Sequence, residues 1–388
     1  MKDAARAEVE DHLDDLIDLS HRIHAHPETA FEEHESSRWT ASVLSDAGFD
    51  VQTGVCDLDT AFVAQRGTGD LVVAICAEYD ALPEVGHACG HNVIAASAVG
   101  AGLALARVAD DAGLTVRVVG TPAEELGGGK VVLLEGGAFA GVHAAMMVHP
   151  WSQERLRGRC LAVSQFDVEY RGKEAHASAA PWQGVNASDA MTIAQVAIGL
   201  LRQQLRPGDQ AHGVVTSAGG ASNVIPSHVS GRFMQRAATA EDLEILEPRL
   251  RHCFEAGALA SGAELEILPI GRPYSHMVSD EGLLAAYRGN AEDLGRHFEL
   301  DDQGAPLPTL STDMANVSLV HPTIHPLMAI ESGGAVNHQP EFAAACVTAS
   351  ADAAVRDAAV AMAWTAIDAA TDPGLRRRLL AGLSFEAA

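Results

Sequence analysis

Residues 86–92 read Gly-His-Ala-Cys-Gly-His-Asn and place two histidines and a cysteine within seven positions. Thiolate and imidazole groups this close suit a pair of metal ligands, or a nucleophile beside its base. A lone cysteine, by contrast, is most often a small buried hydrophobe. The choice depends on whether the rest of the chain brings carboxylates and further histidines to the same place.

Other reactive side chains follow apolar runs that are typical of strands buried in a parallel sheet. The runs are 71–77, 114–119, 144–148 and 327–330, and they precede Glu78-Tyr79-Asp80, Glu124-Glu125, His149 and Gly333-Gly334-Ala335-Val336-Asn337-His338, respectively. Helical patterns at 93–106 and near Val131 alternate with these strands, which predicts a doubly wound, mostly parallel α/β domain. Because open parallel sheets bind ligands at the carboxyl ends of their strands, the clusters are expected to meet at one edge.

The middle of the chain has a different pattern. Strands are predicted at 165–171, 213–217, 228–236 and 263–268, with helices at 186–205 and 241–255 and a further helix spanning Val9 to Ile23 near the N-terminus. The β-α-β-β-α-β order is that of a ferredoxin-like unit. We therefore predict a catalytic domain formed by 1–160 and 276–388, interrupted by a lid and dimerisation domain at 161–275.

Composition excludes several classes of protein. The formal net charge of -26 at pH 7 repels phosphate backbones, which argues against a nucleic-acid partner. The polar N-terminus does not resemble a signal peptide, and the apolar stretch Val93–Ala106 is shorter than the roughly 20 residues that span a bilayer. Six widely spaced cysteines do not suggest a disulfide framework. These features predict a cytoplasmic protein without a membrane partner.

Seven motifs occur in an order that resembles one family. They are HxHPE (His24–Glu28), EYDALP (Glu78–Pro83), GHACGHN (Gly86–Asn92), PAEE (Pro122–Glu125), GKEAHAS (Gly172–Ser178), SNVIP (Ser222–Pro226) and NHQPEF (Asn337–Phe342). Together they resemble the M20 metallopeptidases, in particular the amidohydrolase branch with the indole-acetyl-amino-acid hydrolases and aminobenzoyl-glutamate hydrolases. The resemblance covers nearly the whole chain. The aminobenzoyl-glutamate and dipeptidase-like members are the most similar, because they also read GHACGHN.

The resemblance implies two divalent metal ions per subunit. Their ligands would be Cys89, His91, Glu125, His149 and His338, with Cys89 bridging the two ions. Five ligands exceed the three that hold one catalytic zinc, and Zn²⁺, Mn²⁺ and Co²⁺ all suit this ligand set. Such a pair lowers the pKa of a shared water and polarises a scissile carbonyl.

The resemblance also implies roles for the carboxylates near these ligands. Glu124 would be the general base beside the metal-bound water, and Asp80 would orient a ligand imidazole. The alternative for Glu124 and Glu125 is a pair of acidic residues that favours the dipole at a helix N-terminus.

Substrate contacts are predicted from both domains. Asn223 and Arg232 in the lid are candidates for binding a substrate carbonyl or carboxylate, and Gly333 and Gly334 for contacts beside His338. For Arg232 a salt bridge within the lid is the alternative. By resemblance, His176 would reach the active site of the partner subunit in a homodimer formed by pairing of the lid sheets.

We expect metal-dependent hydrolysis of an amide in an N-acyl amino acid, an aminobenzoyl-glutamate-like conjugate or a dipeptide. Alternatives are hydrolysis of a non-amide aryl C–N bond at the same site, and a cysteine-nucleophile hydrolase based on Cys89. Two departures from the family pattern stand out, Asn92 in place of an acid and Ala315 in place of a glycine. No role is assigned to His87.

Overall fold

The computed structural model describes residues 1–382. They form two compact units: Met1–Arg159 with the chain from Met277 onward, and Cys160–His276. The predicted lid segment, 161–275, lies within the second unit. Each unit is described separately below.

The helices and strands are numbered along the chain. The helices are α1 (Lys2–Asp11), α2 (Leu13–Ala25), α3 (His34–Asp46), α4 (His91–Ala112), α5 (Gly129–Glu135), α6 (Ala187–Leu201), α7 (Ala240–Ser261), α8 (Glu281–Asp293), α9 (Glu299–Asp302), α10 (Met314–Ser318), α11 (Pro340–Ala345), α12 (Ala349–Thr371) and α13 (Pro373–Leu380), with 3-10 turns at Val55–Asp57, Pro181–Gln183 and Arg202–Gln204. The strands are β1 (Asp50–Thr53), β2 (Phe62–Arg66), β3 (Leu71–Ala77), β4 (Leu114–Gly120), β5 (Ala144–Met146), β6 (His149–Trp151), β7 (Arg159–Cys160), β8 (Ala162–Arg171), β9 (Gln210–Ser217), β10 (His228–Ala237), β11 (Glu264–Tyr274), β12 (Thr309–Leu310), β13 (Thr323–Ile324) and β14 (Leu327–Ala329).

The first unit is organised around a sheet of order β1-β2-β4-β3-β5-β13. Its four adjacent strands β4, β3, β5 and β13 are parallel, and β1 and β2 add an antiparallel edge. Alternate residues of β3 face opposite sides: Val73 and Ile75 belong to the core cluster with α4 and α12, whereas Ala74 and Cys76 belong to the cluster with α5 and α10. Helices therefore cover both faces of a mostly parallel sheet, as the apolar runs predicted.

Helix α4 is longer than predicted, because its 22 residues extend from His91 to Ala112. It is the one helix in the described chain that is long and apolar enough to cross a membrane, so the length argument made for 93–106 was wrong. However, 89% of its apolar window is buried, and it packs between the sheet and α12. Its small residues allow this packing, since a Cβ on Gly102 would lie 2.7 Å from Val118 Cγ2.

Two sequence predictions require correction. The predicted helix from Val9 to Ile23 is broken at His12 into α1 and α2, and both helices pack on α4. The predicted fourth strand, 327–330, is not in the central sheet. As β14 it pairs in parallel with β6, with Leu327 opposite His149, and β13 takes the edge position beside β5. Two residues of β13 are too few to give a sequence pattern.

The second unit is a four-stranded antiparallel sheet with two helices. Its elements follow one another as β8-α6-β9-β10-α7-β11, and the strand order across the sheet is β11-β8-β10-β9. Both helices begin at capped positions, since Asn186 accepts a hydrogen bond from the Ser188 amide and Thr239 accepts one from the Asp242 amide. Phe233 and Phe254, with ring centroids 4.8 Å apart, lie in the core between sheet and helices.

Candidate active site

The carboxyl ends of the parallel strands carry the predicted reactive residues. Glu78 and Asp80 follow β3, Glu124 and Glu125 follow β4, and His149 follows β5. The four parallel strands are neighbours in the sheet, so their ends form one edge. The structure thus brings these residues together with Cys89 and His91, as the sequence predicted from strand direction alone.

The turn before α4 explains the glycines of the GHACGHN motif. Gly90 has φ of 76°, and a Cβ there would lie 2.5 Å from Pro150 Cγ, so only glycine fits. Helix α4 then begins at His91, which is fully buried, and Cys89 lies in the turn just before it. The motif therefore holds the cysteine and the histidine on one rigid corner.

Asp80 connects two of the predicted ligands. Its Oδ1 lies 2.9 Å from Nδ1 of His91, and its Oδ2 accepts a hydrogen bond of 2.9 Å from the Glu125 amide. Burial alone would raise the pKa of Asp80, but the charge of His91 and these hydrogen bonds lower it below its ordinary value. An ionised Asp80 thus fixes the imidazole with Nε2 directed away from it, as an orienting residue requires.

The potential ligand atoms fall into two groups that share Cys89. Cys89, His91 and His149 form one group, and Cys89, Glu125 and His338 form the other, with the ligand atoms of each group within 4.8 Å of one another. His149 Nδ1 lies 2.7 Å from the Pro150 carbonyl, which leaves Nε2 for a metal. Cysteine, histidine and glutamate in this arrangement fit two transition-metal ions with one bridging thiolate.

His338 reaches the site from the loop after β14. Its amide donates a hydrogen bond of 2.9 Å to Ala88 in the GHACGHN turn, and its Nε2 lies 3.7 Å from Glu125 Oε2. Its φ of 72° is rare for a residue with a side chain. Gly333 and Gly334 precede it in the same loop, also with positive φ, and are exposed. Strain of this kind is characteristic of functional loops.

The loop with Glu124 and Glu125 is held by a residue that the sequence did not suggest. Ala123 has φ of 59°, and its amide donates a hydrogen bond of 2.8 Å to Glu33, a buried residue at the start of α3. Thr60 also donates a hydrogen bond to Glu33, at 2.9 Å. Burial, with repulsion from Asp80, raises the pKa of Glu33 to about 7.

Burial dominates the electrostatics of the site. It raises the pKa of Glu124 well above its ordinary value, and Glu78 and Glu125 add to this shift. It also raises the pKa of the Cys89 thiol, again with a contribution from Glu125, and it lowers the pKa of His149 to about 4. A raised thiol pKa argues against a free thiolate nucleophile at Cys89, whereas a bound cation would favour the deprotonated ligands.

The predicted lid residues lie in the second unit. The loops with His176 and Asn223 pair through their backbones, since the Ala177 amide donates to the Asn223 carbonyl at 3.0 Å. Both His176 and Asn223 are exposed. Arg232 instead forms a two-pronged salt bridge with Asp167 on β8, at 2.8 and 3.0 Å. This is the alternative considered for Arg232, and a substrate-anchoring role would require that pair to separate.

Two residues left open by the sequence have clear surroundings. Asn92 is buried, and its Nδ2 donates hydrogen bonds of 2.9 Å to Ser20 Oγ and to the Cys346 carbonyl. It therefore ties α4 to α2 and to the end of α11. His87 is buried beside His24, with ring centroids 5.9 Å apart, and burial lowers its pKa to about 3. A neutral His87 therefore lines the core behind the turn.

Sequence analysis assigned no role to a buried charge cluster behind the ligands. The Lys130 ammonium group is fully buried and contacts Glu78 and Asp313. Glu78 directly follows β3, which is the same signal that identified Asp80. Lys130 had no comparable signal, because lysine is rarely buried and its partners are 52 and 183 residues away.

A mostly parallel α/β sheet that gathers Cys, His and Glu ligands at its carboxyl edge defines a hydrolase of the metallopeptidase class. Residues 74–357 match the model of Peptidase family M20/M25/M40. The Xaa-Arg dipeptidase of Mus musculus is 37% identical over 390 residues, which cover 97% of this chain and 90% of that protein. The chain therefore belongs to peptidase family M20/M25/M40 and is a hydrolase of that family.

Two further comparisons are informative. One of the chains of the p-aminobenzoyl-glutamate hydrolase of Escherichia coli K12 is 33% identical over 273 residues, covering 64% of this chain and 56% of that protein. A crystal structure of a dinuclear metal-binding peptidase of family M20 from Bacillus subtilis has a TM-score of 0.65 at 23% identity, and the match covers 91% of this chain and 98% of that one. The second likeness shows the shared fold.

Proposed function

We propose that this protein is a two-metal amidohydrolase that releases a free amino acid from its substrate. The observation that carries the proposal is the position of Cys89, which belongs to both groups of ligand atoms. A thiolate common to two three-residue groups is suited to bridge two ions. The first group adds His91 and His149, and the second adds Glu125 and His338.

The bound ions supply a water of lowered pKa and polarise the scissile carbonyl. The protein's own residues then position and transfer the proton. Asp80 holds His91 through Nδ1 and holds the Glu125 backbone, so both ligands are fixed before substrate binds. Glu124, whose Oε2 lies 3.9 Å from His91 Nε2, accepts the proton of the attacking water and gives it to the departing amine.

We propose a dipeptide with a C-terminal arginine as the first substrate class to test. The support is the Xaa-Arg dipeptidase of Mus musculus, whose similarity extends over 97% of this chain. The formal charge of -26 also favours a cationic substrate, because an acidic surface raises the local concentration of cations. Aminobenzoyl-glutamate is the competing substrate, supported by the shorter match to the Escherichia coli enzyme.

A substrate and metal screen tests this proposal. Glycyl-arginine would be compared with glycyl-citrulline, which has nearly the same shape without the charge, and with aminobenzoyl-glutamate and N-acetyl amino acids. We expect the highest kcat/KM for glycyl-arginine, complete loss after chelation, and recovery with Zn²⁺, Mn²⁺ or Co²⁺. Equal turnover of the citrulline and arginine peptides would reject the basic specificity. Activity in protein shown to be metal-free by elemental analysis would reject the metallohydrolase.

We further propose that the second unit is a ferredoxin-like lid that forms a homodimer through β9. The β-α-β-β-α-β order supports the first part. Strand β9 is an edge of its sheet, contains no proline and exposes Val214. The opposite edge, β11, contains Pro269 and Pro273 and a register shift, which disfavour strand pairing.

In such a dimer the partner subunit's His176 would donate to the developing oxyanion, a contribution of ~10²–10³ in rate. The His176→Ala and Glu124→Gln variants would each be nearly inactive, whereas mixed dimers would regain activity at one of their two sites. A Val214→Lys variant should shift the protein to monomers in analytical ultracentrifugation. Inactive mixed dimers, or an active wild-type monomer, would reject the role of His176 between subunits.

A further inference from the structure

A fully buried lysine lies behind the proposed metal ligands. Lys130 Nζ donates hydrogen bonds to Glu78 Oε1 and, at 2.7 Å, to Asp313 Oδ1. The Lys130 amide donates to Asp313 Oδ2 at 2.9 Å, so Asp313 holds both the backbone and the side chain of the lysine. All three side chains are completely buried. The Glu78 carboxylate is thus fixed from one side.

The other oxygen of Glu78 faces a proposed metal ligand. Glu78 Oε2 lies 3.4 Å from His91 Nε2, and within the described residues neither atom has a hydrogen-bond partner. Because His91 Nδ1 is bound to Asp80, a neutral His91 has its lone pair on Nε2. Two buried lone-pair atoms that face each other without a proton between them repel, unless a cation lies between them.

The separation of these atoms suits coordination to one ion. Zinc binds histidine nitrogen and carboxylate oxygen at about 2.0–2.2 Å, so two ligands at a tetrahedral angle lie about 3.4 Å apart. We propose that Glu78 is an additional ligand of the metal ion held by His91, and that Lys130 and Asp313 position its carboxylate. This inference rests on the proposed function, since it adds a ligand to that metal centre.

The charges of the cluster favour a cation at this position. Two carboxylates, Glu78 and Asp313, contact the single ammonium group of Lys130. One negative charge therefore remains uncompensated in a fully buried environment, where an unpaired charge is costly. Asp313 uses both oxygens on Lys130, so Glu78 is the member of the pair with an oxygen left for a metal.

A crystal structure of the full chain with Zn²⁺ provides the direct test. Anomalous scattering at the zinc edge would locate the ions, and the distance from zinc to Glu78 Oε2 would be measured. We expect about 2.0–2.2 Å, with His91 Nε2 on the same ion. An ion on His91 with Glu78 Oε2 beyond about 3 Å, or joined to it through a water, would overturn the inference.

Metal affinity in solution provides a matched comparison. Glu78→Gln and Asp313→Asn each remove one negative charge beside Lys130, but only the first changes an oxygen that faces His91. Zn²⁺ affinity would be measured by chelator competition, with thermal unfolding as the control for folding. We expect more than ~100-fold weaker binding of one ion in Glu78→Gln, beyond the ~10–100-fold range of residues that only orient ligands, and less than ~10-fold in Asp313→Asn. Equal losses would overturn the inference.

Failure of this inference differs from failure of the proposed function. Wild-type protein that binds no zinc in either experiment would overturn both. Wild-type protein that binds two zinc ions without Glu78 would retain the two-metal centre and overturn only the added ligand. If Glu78→Gln does not fold, the wild-type zinc structure still decides the question.

Discussion

The Glu33 carboxylate accepts a hydrogen bond of 2.8 Å from the Ala123 amide, 90 residues away, and so holds an alanine in the left-handed conformation. A left-handed non-glycine residue costs roughly 1–2 kcal/mol. Ala123 directly precedes Glu124, so this contact sets the direction in which the proposed general base leaves the sheet edge. A residue on α3 thereby positions a residue of the catalytic loop.

We expect Glu33→Ala to lower kcat at least ~10-fold, because a small displacement of a catalytic group is costly, with a smaller effect on KM. Adding Ala123→Gly should recover part of the loss, since glycine adopts positive φ without penalty. Steady-state kinetics and metal content would be measured for both variants. Glu32→Ala, at an exposed neighbour, is the control and should leave kcat unchanged. Wild-type kinetics in Glu33→Ala would contradict the positioning role.

The adjacent residues Glu124 and Glu125 should respond differently to the same substitution. Glu124→Gln should retain metal and lose ~10²–10⁴-fold in kcat, because it removes the proton acceptor. Glu125→Gln should lose metal, because Glu125 lies in the ligand group with Cys89 and His338. Elemental analysis and kinetics on the two variants distinguish these outcomes, and the opposite result would reverse the assignment.

Substitution of Cys89 should affect both metal positions, since Cys89 belongs to both ligand groups. Cys89→Ser is expected to weaken the binding of both ions, measured by chelator competition. The control is Cys253→Ser in the second unit, where a hydroxyl can keep the contact with the Arg249 carbonyl. Mass spectrometry should detect no acyl group on Cys89 during turnover of the wild-type enzyme. An acylated Cys89 would support the cysteine-nucleophile alternative.

Glu154 gives a pH-dependent contribution to stability away from the ligand cluster. Burial raises its pKa from 4.5 to about 7, although Arg296 opposes the shift. The folded protein thus holds this proton more tightly than the unfolded chain. The stabilisation is complete below pH 4.5 and is lost as the pH rises through about 7.

Between pH 4.5 and 8, wild-type protein should lose about 2–3 kcal/mol of unfolding free energy relative to Glu154→Gln. Urea unfolding with excess chelator measures this difference without a contribution from metal release. Glu32→Gln serves as the exposed control. A difference between wild type and Glu154→Gln that does not change with pH would show that Glu154 titrates normally in the folded protein.

The sequence alone determined the sheet and most of the ligand cluster. An apolar run such as Leu71–Ala77 marks a buried strand, and parallel strands end at the same edge, so local patterns placed Asp80, Glu125 and His149 near one another. The element order of 161–275 was also accessible, because alternation in strands and spacing in helices are local properties. The roles of individual residues came from the family resemblance instead.

Only the tertiary structure decided which distant groups meet in the core. Nothing in the sequence pairs Lys130 with Asp313, Glu33 with Ala123, or Asn92 with Ser20. Arg232 had two possible roles until Asp167 was found beside it, and β14 left the central sheet to pair with β6. Periodicity records whether a side chain is buried, whereas its partner depends on how separate elements pack, and burial makes that partner necessary for a charge or a hydrogen-bonding group.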